Sequence, residues 1–351
     1  MEVCEVKSRM KRAYIIVLNF NGWQDTLECL ESLMKLDDVQ YRIVIVDNAS
    51  SNNSVEKICA WAAGRLSATC QSKTPEIRQL VLPYMEGAKD FCIADGTIQN
   101  HLITLLINHE NRGFAAGMNA GIKYALRHAD CEYLWILNND TVVRPESLKA
   151  AIARFDRAKE SEKHAKNQRK LGIVSMYGYC YDNIETPNKR PISCGWNHWR
   201  GRVKELTDEE VKKENYRSYY GASFVISREC IEYVGLMDER HFLYMEEEDW
   251  AERLRRNDFY ISFAMDAVIY HKEGRSVQRS QNPKDRWGDL IFRRSMILFT
   301  RQFFPWCLPM IYINLANQCL RAMIHRRFWW VHEMVKIMLH PEYLPKRGKT
   351  S

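Results

Sequence analysis

The residues best suited to chemistry stand where apolar runs end. Leu137-Asn138-Asn139-Asp140-Thr141 follows Tyr133-Leu134-Trp135-Ile136 and precedes Val142-Val143-Arg144-Pro145. A carboxylate at the carboxyl end of a buried strand, beside two short amides, can hold a divalent cation and the ribose and phosphates of a nucleotide. Asn-Asn-Asp is also ordinary turn chemistry, so this stretch does not decide the matter alone. Asp47 follows Val44-Ile45-Val46 and precedes Asn48-Ala49-Ser50. It can accept a hydrogen bond from the imide N–H of uracil or thymine, or it can cap the helix that follows.

Asn111-Arg112-Gly113-Phe114-Ala115-Ala116-Gly117 spaces its glycines four apart and so departs from the dinucleotide fingerprint. Gly113 and Gly117 allow close backbone approach, a helix N-terminus suits a phosphate, and Arg112 offers a planar donor fork. A plain helix start is the alternative. Glu246-Glu247-Glu248-Asp249 follows Phe242-Leu243-Tyr244-Met245 and opens a helix through Leu254. Acids there suit the macrodipole, and equally a general base, because crowded like charges raise proton affinity. His271 follows Ala267-Val268-Ile269-Tyr270. Neutral imidazole at that strand end can ligate a metal, although a lone histidine is more often a surface residue.

These residues need elements to position them. The apolar runs Tyr14–Leu18, Arg42–Val46, His101–Ile107 and Tyr133–Leu137 read as strands. Between them lie a helix from about Trp23 to Met34, with Leu27, Leu30 and Leu33 on one face, a helix capped by Ser54, and a helix ending near His128. Alternating strand and helix argues for a mainly parallel sheet. In such sheets ligands bind outside the carboxyl ends of the strands, so the loops after Val46, Ile107 and Leu137 can converge on one ligand. Residues 64–100 lack a clear period and read as an insertion or surface excursion. Ala150–Lys170 reads as a helix, Ile173–Met176 and Gly221–Ile226 as strands, and 182–218 as a long loop.

The chain has 351 residues, 46% hydrophobic and 27% charged, which is a folded composition with room for one large domain and an appendage or two modest domains. Its eleven cysteines include no Cys-x-x-Cys pair, so neither a zinc site nor a disulfide framework is indicated, and a reducing cytoplasmic setting is the default. Residues 1–12 are polar, and Tyr14–Leu18 is too short for the core of a signal peptide. The net charge of +7 divides unevenly, with 14 Lys/Arg and 4 Asp/Glu in residues 275–351 against 37 and 40 before them. The basic part is therefore C-terminal. Residues 1–274 are net acidic and show no basic face, which excludes a nucleic-acid binder.

From Asp285 the pattern turns helical, with Trp287, Leu290, Ile291, Ile297, Leu298 and Phe299 largely on one face. Phe303–Leu320 carries no charge, but Pro305, Pro309, Asn314, Asn317 and Gln318 argue against a clean membrane span. Arg301, Arg321, Arg326 and Arg327, near Trp306, Trp329 and Trp330, suit helices lying in an anionic membrane surface over 285–340. Packing on the catalytic part, or a homodimer contact, is the alternative.

Together these segments resemble family 2 of the inverting nucleotide-sugar glycosyltransferases, particularly its rhamnosyltransferase and galactofuranosyltransferase branch, over about residues 13–276. The resemblance rests on Val17-Leu18-Asn19-Phe20-Asn21, Val46-Asp47-Asn48-Ala49-Ser50, Asn111 to Asn119, Leu137 to Asp140, Gly221-Ala222, Glu246 to Arg253, and His271, in that order. It implies an α/β GT-A catalytic domain over 12–276, with 64–100 inserted, and a basic helical appendage over 277–351. It also implies that Asn19, Asp47, Asn111, Arg112, Gly113, Asn138 and Asn139 hold the donor, with Asp47 and Arg112 on the pyrimidine. Asp140 and His271 would bind Mg²⁺ or Mn²⁺, Glu247 would act as base, and Asp249 would support it. Glutamate at 247 departs from the family's commoner aspartate.

The activity implied is inverting transfer of a sugar from a nucleoside-diphosphate sugar. The first expectation is dTDP-rhamnose, followed by a UDP-hexose or UDP-galactofuranose. The acceptor would be a hydroxyl of a cell-surface polysaccharide such as lipopolysaccharide, or of a lipid-linked oligosaccharide, at the inner face of the cytoplasmic membrane. The alternative is a non-catalytic nucleotide-sugar binding or scaffold protein.

Overall fold

The computed structural model describes residues 12–37, 39–66, 84–88, 91–98, 101–163, 169–181, 193–197, 202–205, 218–272 and 286–346. In chain order the elements are β1 (Arg12–Asn19), α1 (Trp23–Leu33), β2 (Tyr41–Asp47), α2 (Ser54–Ala62), β3 (Tyr84–Ala88), β4 (Phe91–Ile98), β5 (His101–Asn108), α3 (Phe114–Leu126), β6 (Cys131–Asn138) and β7 (Thr141–Val143). They continue with α4 (Ser147–Glu162), β8 (Lys170–Cys180), β9 (Ser193–Asn197), β10 (Arg202–Glu205), β11 (Ser223–Ser227), α5 (Arg228–Val234), α6 (Glu246–Arg256) and β12 (Phe259–His271). Helices α7 (Trp287–Phe303), α8 (Leu308–Ile324) and α9 (Phe328–Leu339) follow, with a 3₁₀ turn at Pro305–Cys307.

Continuous apolar strands bury both faces of the sheet. Ile15 and Val17 of β1 join one core with Ile43, Ile45 and Trp135, while Tyr14 and Ile16 join the other with Val44, Val46 and Ile136. This two-sided burial is what a parallel sheet between helix layers requires. The ten strands run in the order β3-β4-β5-β2-β1-β6-β11-β8-β12-β7. Strands β5, β2, β1 and β6 are parallel; β11 runs antiparallel to both of its neighbours, β6 and β8, and β12 is parallel to β8. Helix α3 lies close on β1 and β2, where a Cβ on Gly121 would stand 2.4 Å from Ile16 Cγ2 and 3.0 Å from Val46 Cγ2.

Several expectations change. Ser54 does not cap α2; its backbone N–H and hydroxyl both donate to Asn52 Oδ1, at 3.0 and 2.6 Å, because an Asn side chain readily bonds two residues on. Within the stretch read as an excursion, β3 and β4 extend the sheet antiparallel from β5, a placement decided by backbone pairing and not by side-chain period. Within the predicted long loop, β9 and β10 pair as a separate two-stranded sheet. Residues 67–83, 182–192 and 206–217, which share these readings, lie outside the described residues, as do 273–285.

The uncharged run from Phe303 is broken at Phe304, where φ is −139° and ψ 52° before Pro305. Proline disfavours a helical residue before it and supplies no N–H. No described helix is long and apolar enough to cross a membrane. Helices α7, α8 and α9 share a third core that includes Leu290, Ile297, Leu315 and Met334 and also takes in Met245 from the segment before α6.

Gly121→Val should destabilise the fold by about 2 kcal/mol or more through overpacking against Ile16. Urea unfolding measures it, and an unchanged midpoint would show that α3 can retreat from the sheet without loss.

Candidate active site

The strand directions bring Asn19, Asp47, Asn108, Asn138 and His271 to one edge of the sheet, together with the start of β11. Asp47 is fully buried. Its Oδ1 accepts from Asn19 Nδ2 at 2.6 Å and from the Ser50 hydroxyl at 2.7 Å, and its Oδ2 accepts from the Ser50 N–H at 2.9 Å. It thus closes its own loop and does not cap α2. Asn48 Nδ2 donates to Asn111 Oδ1 and to the Gly113 carbonyl, both at 3.0 Å, and Asn48 Oδ1 accepts from Asn108 at 3.0 Å. These amides tie the loops after β2 and β5 together. Gly113 has φ +100°, and a Cβ there would lie 2.3 Å from the Phe242 carbonyl oxygen, so only glycine fits. Asn139 Nδ2 donates to Thr26 Oγ1 at 2.9 Å, whereas Asn138 Oδ1 is buried with no hydrogen-bond partner.

Asp140 and His271 meet, with His271 Nε2 3.0 Å from Asp140 Oδ1. A carboxylate only accepts, so Nε2 carries the proton and Nδ1 accepts from the Tyr220 hydroxyl at 2.7 Å. Burial would raise the Asp140 carboxyl, but the hydrogen bond from His271, a backbone hydrogen bond and the Lys272 ammonium outweigh it and hold the group below the usual carboxylate range. Carboxylate and imidazole together fit a divalent cation such as Mg²⁺ or Mn²⁺, and the Tyr220 hydroxyl could then accept from Nδ1–H, as a partner that fixes the ring. The next residue, Lys272, is buried and bonded to Asp25 and Glu28 on α1. Burial pushes its ammonium down, but those two carboxylates more than restore it.

Glu247 packs over Gly221, where a Cβ would come within 2.0 Å of Glu247 Oε1. Ala222 O, in turn, accepts from Asn138 N at 2.9 Å. Burial raises the proton affinity of Glu246 and Glu247, and it pushes Glu248 up to about 7 although the Ser218 hydroxyl donates to it at 2.9 Å. Asp249, two residues on, projects from a different side of the helix. It is fully buried, and its Oδ1 accepts from Arg253 Nε at 2.7 Å.

Arg112 forms no hydrogen bond or ion pair with Asp47. Its side chain is 61% exposed, and the guanidinium pairs with Glu239 at 3.2 Å and with Glu110 at 3.7 Å. Asp238, His241 and Asp249 form the group of metal-ligand type found among the described residues. Arg240 and Arg253 already neutralise its carboxylates, which disfavours a further cation there.

The sequence matches the Glycosyl transferase family 2 profile over residues 14–84 and 71–234. The chain belongs to this family. The low-salt glycan biosynthesis hexosyltransferase Agl10 of Haloferax volcanii is 22% identical over 188 residues, which are 50% of this chain and 57% of that protein. The chain thus spans little more than half the length of this curated relative. Among solved structures, the mannosyltransferase PcManGT from Pyrobaculum calidifontis, in complex with GDP-Man and Mn²⁺, superposes with a TM-score of 0.51 at 14% identity, over 95% of this chain and 88% of that one. S. aureus TarS 1-349 in complex with UDP-GlcNAc gives 0.48 at 15% identity, over 83% and 66%. The PcManGT likeness concerns the fold, which in this family 2 chain is GT-A-like.

Sequence reasoning missed Tyr220, Asp25 and Glu28. Their partners lie 51, 247 and 244 residues away, so no local pattern could have flagged them.

Glu246 is 2% exposed, and its Oε2 has no hydrogen-bond partner. Burial, then the charge of Glu247, raises its proton affinity well above the ordinary 4.5. The folded protein therefore holds this proton more tightly than the unfolded chain. Its stabilising contribution is complete below pH 4.5 and is lost as pH rises toward the raised value. Glu246→Gln should melt higher than wild type at pH 8 and match it at pH 4. Equal melting at pH 8 would show that the carboxylate finds solvation.

Proposed function

We propose that the chain is an inverting glycosyltransferase that moves one sugar from a nucleoside diphosphate to a hydroxyl of a cell-surface polysaccharide or lipid-linked oligosaccharide. Residues 12–276 would act as the catalytic unit, with 277–351 as a helical appendage. One observation carries this reading. Tyr220 holds His271, Gly221 carries Glu247, and Ala222 bonds the backbone of Asn138, so three successive residues join a basic carboxylate to a cation pair.

The donor would lie along Asn19, Asp47, Asn111, Arg112, Gly113, Asn138 and Asn139. Asp47 Oδ2 keeps a lone pair beyond its bond from Ser50, and an imide N–H would use it once the loop over the buried carboxylate opens. Thymine and uracil offer the same imide, so dTDP- and UDP-sugars both suit Asp47; by family resemblance dTDP-rhamnose is our first choice, with a UDP-hexose or UDP-galactofuranose next. Arg112, exposed beside Glu239, is free to swing onto the base or the phosphates.

Glu247 takes the proton from the acceptor hydroxyl as its oxygen attacks the anomeric carbon. The bond from that carbon to the diphosphate breaks on the opposite face, the electron pair leaves with the diphosphate, and configuration inverts. Asp140 and His271 would hold a divalent cation, which when bound would supply positive charge for the leaving group. Asp249 supports the base by orienting Arg253, whose guanidinium donates to the Val234 and Leu236 carbonyls and so anchors α6. A lipid-linked acceptor would place the enzyme at the inner face of the cytoplasmic membrane.

The first test is calorimetric titration with UDP, dTDP, GDP and their sugars, with and without Mn²⁺. Cation-dependent binding of one donor is expected, and binding of none would return the chain to a scaffold role. Glu247→Gln should lower turnover by roughly 10²–10⁴-fold with donor affinity nearly unchanged. Asp140→Ala should abolish cation-dependent binding and turnover together. Because burial raises Glu247, kcat/KM should rise with pH, with its midpoint above 4.5. A fully active Glu247→Gln enzyme would move the base to a neighbouring acid.

A further inference from the structure

Helix α8 is apolar on two sides. Ile311, Leu315, Cys319 and Ala322 face the third core, while Trp306 just before the helix, Met310, Ile313, Leu320 and Ile324 form a second row in solvent. Trp306 is 63% exposed and Ile324 79%, and α8 contains no acidic residue. A contiguous exposed apolar row of this kind marks a surface that is covered in use.

Beside the row, between α7, α8 and α9, lies a cavity of about 180 Å³ whose lining includes Arg286, Arg293, Arg321, His325, Arg327 and Trp330. Asp289 is its sole acid, and it is engaged by Arg293 at 3.2 Å and by Trp330 Nε1 at 3.1 Å. Arg293 Nε is buried with no hydrogen-bond partner, and Arg321 and Arg327 form no ion pair among the described residues. Four guanidinium groups around one small cavity, with donors left over, are complementary to a phosphate group. Arg321 is four residues from Asn317 and three from Ile324, so it borders the apolar row on the helix surface.

We propose that this cavity seats the phosphate of an anionic membrane lipid, one with no choline cation beside it, while the outer row of α8 enters the interfacial layer of the membrane. Phosphate and acyl chain on one molecule satisfy both features, and free phosphate would leave the row in water. The exposed Arg301 near the end of α7 and Arg326 just after α8 add cationic charge to the same helical segment. A two-fold contact along the row would set the unpaired arginines of two copies against each other.

The test is flotation of the full-length protein with vesicles of phosphatidylcholine, alone or mixed with phosphatidylglycerol. Wild type should float with the mixed vesicles and not with the neutral ones. Arg321→Gln with Arg327→Gln should weaken partitioning about thirty-fold, taking roughly 1 kcal/mol per cation near the surface. Ile313→Asp should weaken it through the apolar row alone. Both variants change exposed side chains, and retained donor binding by calorimetry certifies their fold and keeps this test separate from the transferase reading. Equal flotation with both vesicle types, or unchanged flotation of both variants, overturns the proposal. So does inorganic phosphate that binds the cavity as tightly as the vesicles do, or a dimer in which the row is buried and flotation is lost.

Discussion

A strand that runs against its neighbours sets the layout of the candidate site. Strands β1, β2, β5, β6, β8 and β12 deliver their last residues to one edge of the sheet, and β11, being antiparallel, delivers its first. Tyr220-Gly221-Ala222 thereby stands among the ends of the other strands. Were β11 parallel, that tripeptide would sit at the opposite edge. Each of its residues then meets a different demand: an aromatic hydroxyl to orient His271, no side chain where Glu247 must lie, and a carbonyl for Asn138 N. The acid of α6 and the end of β12 are far apart in the chain and are placed together through this joint.

A second dependence runs through residues 237–245. Outside helix or strand, backbone polar groups must find partners elsewhere. Asn119 bonds both Met237 N and Met237 O, Phe114 N donates to the Phe242 carbonyl, Arg294 donates to the Arg240 carbonyl, and Ser295 donates to the Leu243 carbonyl. Tyr244 and Met245 then take positive φ, 68° and 71°, to turn into α6. Two non-glycine residues in that region persist only where surrounding contacts hold them. Helix α7 supplies part of that hold, so the C-terminal helices buttress the acid cluster as well as carrying their own basic surface.

Charge is distributed to match. Acids gather near the strand ends at Asp25, Glu28 and Asp140 and at the start of α6, from Glu246 to Asp249. The surplus of arginine lies on the helical segment, where Arg321 and Arg327 have no acidic partner among the described residues. One chain thus presents two surfaces of opposite chemical preference.

The sequence by itself determined where polar groups would leave the sheet. Asn19, Asp47, Asn138 to Asp140 and His271 could be read because each ends an apolar run, and burial of a run is a local property of residues two apart. The pattern around Gly113 marked a tight helix start for the same local reason. Tertiary structure alone decided what those residues touch. Asp47 proved to be engaged by Asn19 and Ser50, Arg112 turned to Glu239, β3 and β4 joined the sheet edge without a readable period, and Tyr220 found His271 across 51 residues. Side-chain period reports one element at a time. Strand order and direction, which bring distant elements to one edge, are fixed only when the whole core packs, and they leave no mark in the spacing of any single segment.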